Sequence, residues 1–98
     1  MKKILFSLAL LISFVSFGQT AKEYFESGND KAAAKDYNGA ISDYTKAIEL
    51  DPNYASTYDN RSITKEKLGD LTGACADAKK AIKLGSNSSV KWVASNCN

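Results

Sequence analysis

From Ala21 onward the apolar positions recur at helical spacing. Ala40, Tyr44, Ala47 and Leu50 fall on one face of a helix, and Tyr24 to Ala34 are good helix formers. The polar stretch "KDYN" interrupts between them, which predicts two helices joined by a short turn. Asp36 and Asp70 each precede an apolar-periodic run and are expected to be N-caps. The only proline, Pro52, disfavours helical geometry at Asp51 and lacks an N–H, so a helix should end near Leu50. Further on, Gly85 stands where a left-handed C-terminal cap is expected.

The pattern repeats. "DYNGAISDYTKAIELDPN" (Asp36 to Asn53) lies without gaps over "DLTGACADAKKAIKLGSN" (Asp70 to Asn87). Half of the window is identical, including Asp36/Asp70, Gly39/Gly73, Ala40/Ala74, Asp43/Asp77, Lys46/Lys80, Ala47/Ala81 and Leu50/Leu84. The same offset aligns Tyr24, Tyr58 and Trp92, so a third unit begins near the C-terminus and stops.

Ahead of the repeats, residues 1–18 have a different character. Lys2 and Lys3 are followed by an apolar run from Ile4 to Phe17 and by small residues at Ser16 and Gly18, the layout of a secretory signal peptide. The run is shorter than the ~20 residues a spanning helix needs. Cleavage between Gly18 and Gln19 is therefore expected, giving an exported protein, periplasmic or secreted. Loss of Lys2 and Lys3 from 13 basic residues leaves 11 against 11 acidic ones. A neutral mature chain favours neither nucleic acid nor an anionic membrane as partner.

There is no histidine, and the two cysteines are Cys75 and Cys97. A Cys/His metal site and a histidine-based catalytic triad are excluded by inventory. No nucleophile motif, phosphate loop or metal cluster accompanies the carboxylates, so no enzyme activity and no cofactor are expected. The acidic pair Asp59 and Glu66 on one helix face, and the pairs Asp43/Lys46 and Asp77/Lys80, read as solvated helix surface.

These residues resemble a tetratricopeptide repeat, a helix-turn-helix unit of about 34 residues. The matching positions are Tyr24, Gly28, Tyr37, Ala40, Tyr44, Ala47 and Pro52 in the first unit, and Tyr58, Gly69, Ala74 and Ala81 in the second. The resemblance implies an all-α fold: repeat 1 at 21–54, repeat 2 at 55–88 and a capping helix at 88–97, in a short right-handed superhelix. Small Ala40, Ala47, Ala74 and Ala81 would let helix backbones approach closely. Departures from the family pattern fall at Ser27 and Arg61, usually leucine; at Lys31 and Lys65, usually bulky; and at Ala78, usually aromatic. They bear on the tightness of packing.

Two repeats alone leave an apolar face open. "SNSSVKWVASNCN" is expected to close it with a short helix using Val90, Trp92 and Val93. A chain reversal near Ser86 pairs Ile82 with Val90, Ala78 with Ala94 and Cys75 with Cys97. In an exported small domain such a cysteine pair points to a disulfide; two free thiols are the alternative.

The resemblance also implies a protein-binding scaffold with a concave groove for a peptide or partner helix. The usual groove positions carry over to Lys22, Phe25, Glu26 and Asn29 in the first unit and to Ser56, Asp59, Asn60, Ile63 and Lys67 in the second. On this reading, replacing Asn29 and Asn60 together by alanine weakens capture and leaves thermal stability nearly unchanged. Chaperone-binding members hold a C-terminal carboxylate with a lysine, two asparagines and two further basic residues. Here Asn29 and Asn60 fit, whereas Phe25, Val90 and Ala94 stand where the cations belong. A different class of function is a structural module that self-associates through open repeat ends, which makes a homo-oligomer the alternative partner.

Overall fold

The structure, a computed structural model, describes residues 19–98. The expected export segment, 1–18, lies outside the described residues. Five helices follow in order: α1 Ala21–Ala33, α2 Tyr37–Leu50, α3 Ala55–Lys67, α4 Leu71–Lys83 and α5 Val90–Asn96. Helices α1 and α2 pack as one hairpin and α3 and α4 as a second; α2 joins them by packing on α3, and α5 packs on α4. Among the described residues no helix is long and apolar enough to cross a membrane.

Local chemistry sets the boundaries. Thr20 accepts the Glu23 N–H at 3.1 Å while its own N–H donates to the Glu23 carboxylate at 3.2 Å, a capping box that starts α1. Asp36 and Asp70 cap α2 and α4 by accepting the amides of Gly39 and Gly73, at 3.1 and 2.9 Å. Helix α2 ends at Leu50, ahead of Pro52, and the Pro52 carbonyl accepts the Tyr58 hydroxyl at 2.9 Å. Gly85 adopts φ 104°, the left-handed turn expected after α4.

The core is built from small residues and two tyrosines. Ala40, Ala47, Ala74, Ala78 and Ala81 are buried together with Tyr44 and Tyr58. Gly28 of α1 lies against the Tyr44 ring, and a Cβ there would stand 2.6 Å from it. Leu50, expected on the buried face, is the last residue of α2 and is 56% exposed.

Where the family pattern calls for bulky apolar residues, the structure has ion pairs. Arg61 donates through Nε and Nη2 to the two carboxylate oxygens of Asp77, both at 2.7 Å, and Lys65 reaches Asp77 at 2.9 Å. Asp77 is only 4% exposed, so it is a buried hub rather than solvated surface. One repeat earlier Asp43 accepts from Ser27 at 2.6 Å and pairs with Lys31 at 3.1 Å. Lys46 pairs instead with Glu49 at the surface, and Lys80 is exposed. The departures at Ser27, Lys31, Arg61 and Lys65 are thus matched by carboxylates on the facing helix. Arg61 also donates to Thr45 Oγ1 of α2 at 3.1 Å and lies 5.9 Å from the Tyr58 ring centroid. One side chain therefore joins three helices and both repeats.

The cap is held largely by polar contacts. Asp59 of α3 is 6% exposed; its carboxylate accepts the Ser89 hydroxyl at 2.7 Å and a short bond from Ser86. Glu66 accepts the Trp92 indole N–H at 2.8 Å. Both members of the supposed solvated acidic pair hold the C-terminal segment. Trp92 and Val93 are half-buried, whereas Val90, expected to help cover the second repeat, is 44% exposed and Ala94 is exposed as well. Cys75 and Cys97 do meet, with Sγ atoms 2.07 Å and Cα atoms 5.7 Å apart.

Removing one partner of a buried ion pair strands the others. Asp77→Ala is expected to lower unfolding stability by about 3 kcal/mol in urea denaturation. Adding Arg61→Leu and Lys65→Tyr to that variant, which restores the apolar pattern, should return stability to within about 1 kcal/mol of the starting protein.

Candidate functional site

Helices α1 and α3, the first helices of their repeats, border a concave face. At its N-terminal end Lys22, Phe25, Glu26 and Asn29 line one hollow of about 600 Å³, joined by Asp51 and Tyr54. The Phe25 ring meets Tyr54 edge-on, with centroids 5.3 Å apart, and lies 6.2 Å from Tyr44. Phe25 is half-buried and keeps one side toward the hollow.

At the other end Ser56, Asp59, Asn60 and Ile63 line a second hollow of about 390 Å³, closed by Glu66, Ser88, Ser89 and Trp92. A smaller hollow between them shares Asn29 with the first and Asn60 and Ile63 with the second. The three form one continuous groove. Ile63, which lines two of the hollows, is 52% exposed. Eight of the nine positions expected from the sequence are therefore brought together. Lys67, exposed in the last turn of α3, borders none of the hollows.

Three of the eight also serve within the protein. Asp59 is buried, and its carboxylate is engaged by Ser86 and Ser89, so it shapes the groove wall and contributes charge more than contact. Asn29 Oδ1 accepts the Tyr44 hydroxyl at 2.6 Å and the Asn60 amide at 2.8 Å. This bridge ties α1 to α2 and to α3, and Tyr44 is 1% exposed. The expectation that Asn29 and Asn60 can be removed without loss of stability is corrected by that burial: without Asn29 the Tyr44 hydroxyl loses its acceptor.

Periodicity does not reveal Tyr54, Asp51, Glu66 and Trp92 as groove residues. Trp92 occupies the register of Tyr24 and Tyr58, of which Tyr58 is buried. In the cap, Trp92 is half-buried, lines the hollow at that end of the groove and donates its indole N–H to Glu66. The serines of "SNSS" are the available signal: hydroxyls close to a helix start need an acceptor, and Asp59 supplies it. At the carboxylate-clamp positions Phe25 is packed on aromatics, while Val90 and Ala94 are exposed and carry no charge. Among the described residues no group of three or more His, Cys, Asp or Glu is placed to hold a metal ion.

Residues 21–54 match the family model of the tetratricopeptide repeat. The helix hairpins of this chain have a tetratricopeptide-type repeat fold. Mouse (Mus musculus) DnaJ homolog subfamily C member 7 is 45% identical over 64 residues, covering 65% of this chain and 13% of that protein. The tetratricopeptide repeat protein 36 homolog of Nematostella vectensis is 44% identical over 64 residues, covering 65% of this chain and 35% of its own length. The chain thus spans about an eighth of the first relative and about a third of the second. Among solved structures, the first tetratricopeptide domain of Spaghetti (RPAP3), bound to the HSP90 peptide SRMEEVD, superposes with a TM-score of 0.67 at 30% identity. That match covers 68% of this chain and 53% of the other. The all-α repeat fold expected from the period is the one observed.

Burial pushes the Tyr44 phenol above its ordinary value; side-chain amide hydrogen bonding opposes the rise, and the Asp43 carboxylate adds to it. A phenol with a raised folded-state value stabilises fully below the unfolded value of about 10, and that stability is lost as pH rises through the folded value. Chemical denaturation from pH 8 to 11 should therefore show an alkaline loss that Tyr44→Phe reduces. At pH 7, Asn29→Ala should cost about 1–3 kcal/mol, and Asn60→Ala less, because Tyr44 then keeps its acceptor.

Proposed function

We propose that this protein is a non-catalytic adaptor whose concave groove receives an extended peptide or a helix of a protein partner. The continuous groove from Phe25 and Tyr54 to Ile63 and Trp92 carries the reading. It offers apolar anchors at both ends, amides between them and serine hydroxyls beside Trp92, the mixture that suits peptide backbone and spaced apolar side chains. The solved relative bound to an HSP90 peptide supports a peptide as occupant. Its acidic C-terminal ligand is not carried over, because Phe25, Val90 and Ala94 replace the cations a terminal carboxylate needs.

The adaptor acts outside the cytoplasm, in the periplasm or beyond the cell. The basic start and apolar run of residues 1–18 support export, and the meeting of Cys75 with Cys97 supports a disulfide suited to an oxidising compartment. A bridge closing that loop contributes about 3 kcal/mol on the chain-entropy model.

Affinity capture from envelope and culture fractions, followed by binding measurements on the purified partner, tests the adaptor. Phe25→Ala and Ile63→Ala should each weaken the partner by tenfold or more while helical content is retained; unchanged binding counts against the groove. The peptide SRMEEVD should bind no more tightly than its C-terminally amidated form. Intact-mass analysis of the exported protein should give a chain starting at Gln19 and lighter by two hydrogens than its reduced form. A longer chain, or two alkylatable thiols before reduction, overturns the export or the disulfide reading respectively.

A further inference from the structure

The groove is charged, and its sign is opposite to what an acidic ligand needs. Five charged residues line its three hollows: Glu26 and Asp51 at one end, Asp59 and Glu66 at the other, and Lys22 as the lone cation. Four carboxylates against one ammonium leave a formal charge of −3. The described residues as a whole carry 11 cations and 11 anions, so this excess is local. None of the five is in an ion pair among the described residues. The cations are drawn elsewhere, Lys31 to Asp43 and Arg61 with Lys65 to Asp77.

The carboxylates sit beside aromatic and aliphatic surface. Glu26 shares its hollow with Phe25 and Tyr54, and Glu66 shares its own with Ile63 and Trp92. A side chain entering either end meets an apolar wall and a negative charge together. That combination fits arginine and lysine, whose stems lie on apolar surface, and arginine stacks on an aromatic face as well. Like charges brought into the same concavity are repelled, which gives the groove a means of rejecting acidic segments.

We infer that the groove's partner is a basic segment, with lysine or arginine beside aromatic or aliphatic side chains, held by Glu26 and Asp51 at one end and Glu66 at the other. The inference rests on the adaptor reading and adds the charge of the occupant. It reverses the polarity of ligand bound by the solved relative, whose peptide ends in two glutamates, a valine and an aspartate.

Selection of a random twelve-residue display library on the purified protein, with Phe25→Ala as background, tests both levels. Enriched sequences are expected to carry net positive charge and apolar side chains. As soluble peptides they should lose tenfold or more in affinity when each Lys or Arg becomes Gln. Raising the salt from 50 to 500 mM should shrink that difference severalfold. Glu26→Gln with Glu66→Gln should reduce it likewise, and the amide oxygen at position 66 can still accept the Trp92 indole N–H. Enrichment of neutral or acidic sequences that depends on Phe25 overturns the charge inference and keeps the groove. No enrichment over the Phe25→Ala background overturns both.

Discussion

The Arg61–Asp77–Lys65 cluster is the constraint on which the rest of the molecule hangs. Alanine-lined helix contacts bring backbones close but specify little about rotation or sliding, because alanine has no rotamers to interdigitate. A bidentate guanidinium–carboxylate pair permits one geometry. Placed between α3 and α4 and extended to Thr45 of α2, it fixes the second hairpin internally and against the first. The smaller Ser27–Asp43–Lys31 set repeats the device one period earlier. Such pairs give modest net stability when their desolvation is counted, and their value here is in register.

That register determines what the concave face presents. With basic side chains turned toward Asp43 and Asp77, the carboxylates of α1 and α3 border the groove without cations paired to them. Asp59 and Glu66 are further committed to the C-terminal segment, so the groove's far wall and the end of the fold are one construction. Groove wall and structural closure share the same side chains.

Much of this is legible in the sequence where the cause is local or periodic. The caps at Asp36 and Asp70, the stop at Pro52, the turn at Gly85 and the buried Ala40 and Ala47 follow from spacing and backbone chemistry alone. Eight groove positions follow from the family resemblance. The illegible part concerns which neighbour a polar side chain finds. Asp77 stands three residues after Ala74 and four before Ala81, on the buried face by period, while its charge argues for water. Only the approach of Arg61 and Lys65 from α3 resolves that conflict in favour of burial. Leu50 and Val90 read as buried by type, yet they lie where one helix is ending and another is only beginning. Trp92 carries the repeat's register into a helix of only seven residues, where it is half-buried.

The brevity of α5 has a thermodynamic consequence. Seven residues cannot hold helical structure alone, so this helix exists only while it is docked on the second repeat. Because Trp92 is at once part of the docked helix and part of the groove rim, docking and occupancy of the groove are linked equilibria. On the adaptor reading, whatever fills that end of the groove also tightens the end of the chain, and whatever loosens the chain's end weakens the occupant by the same factor.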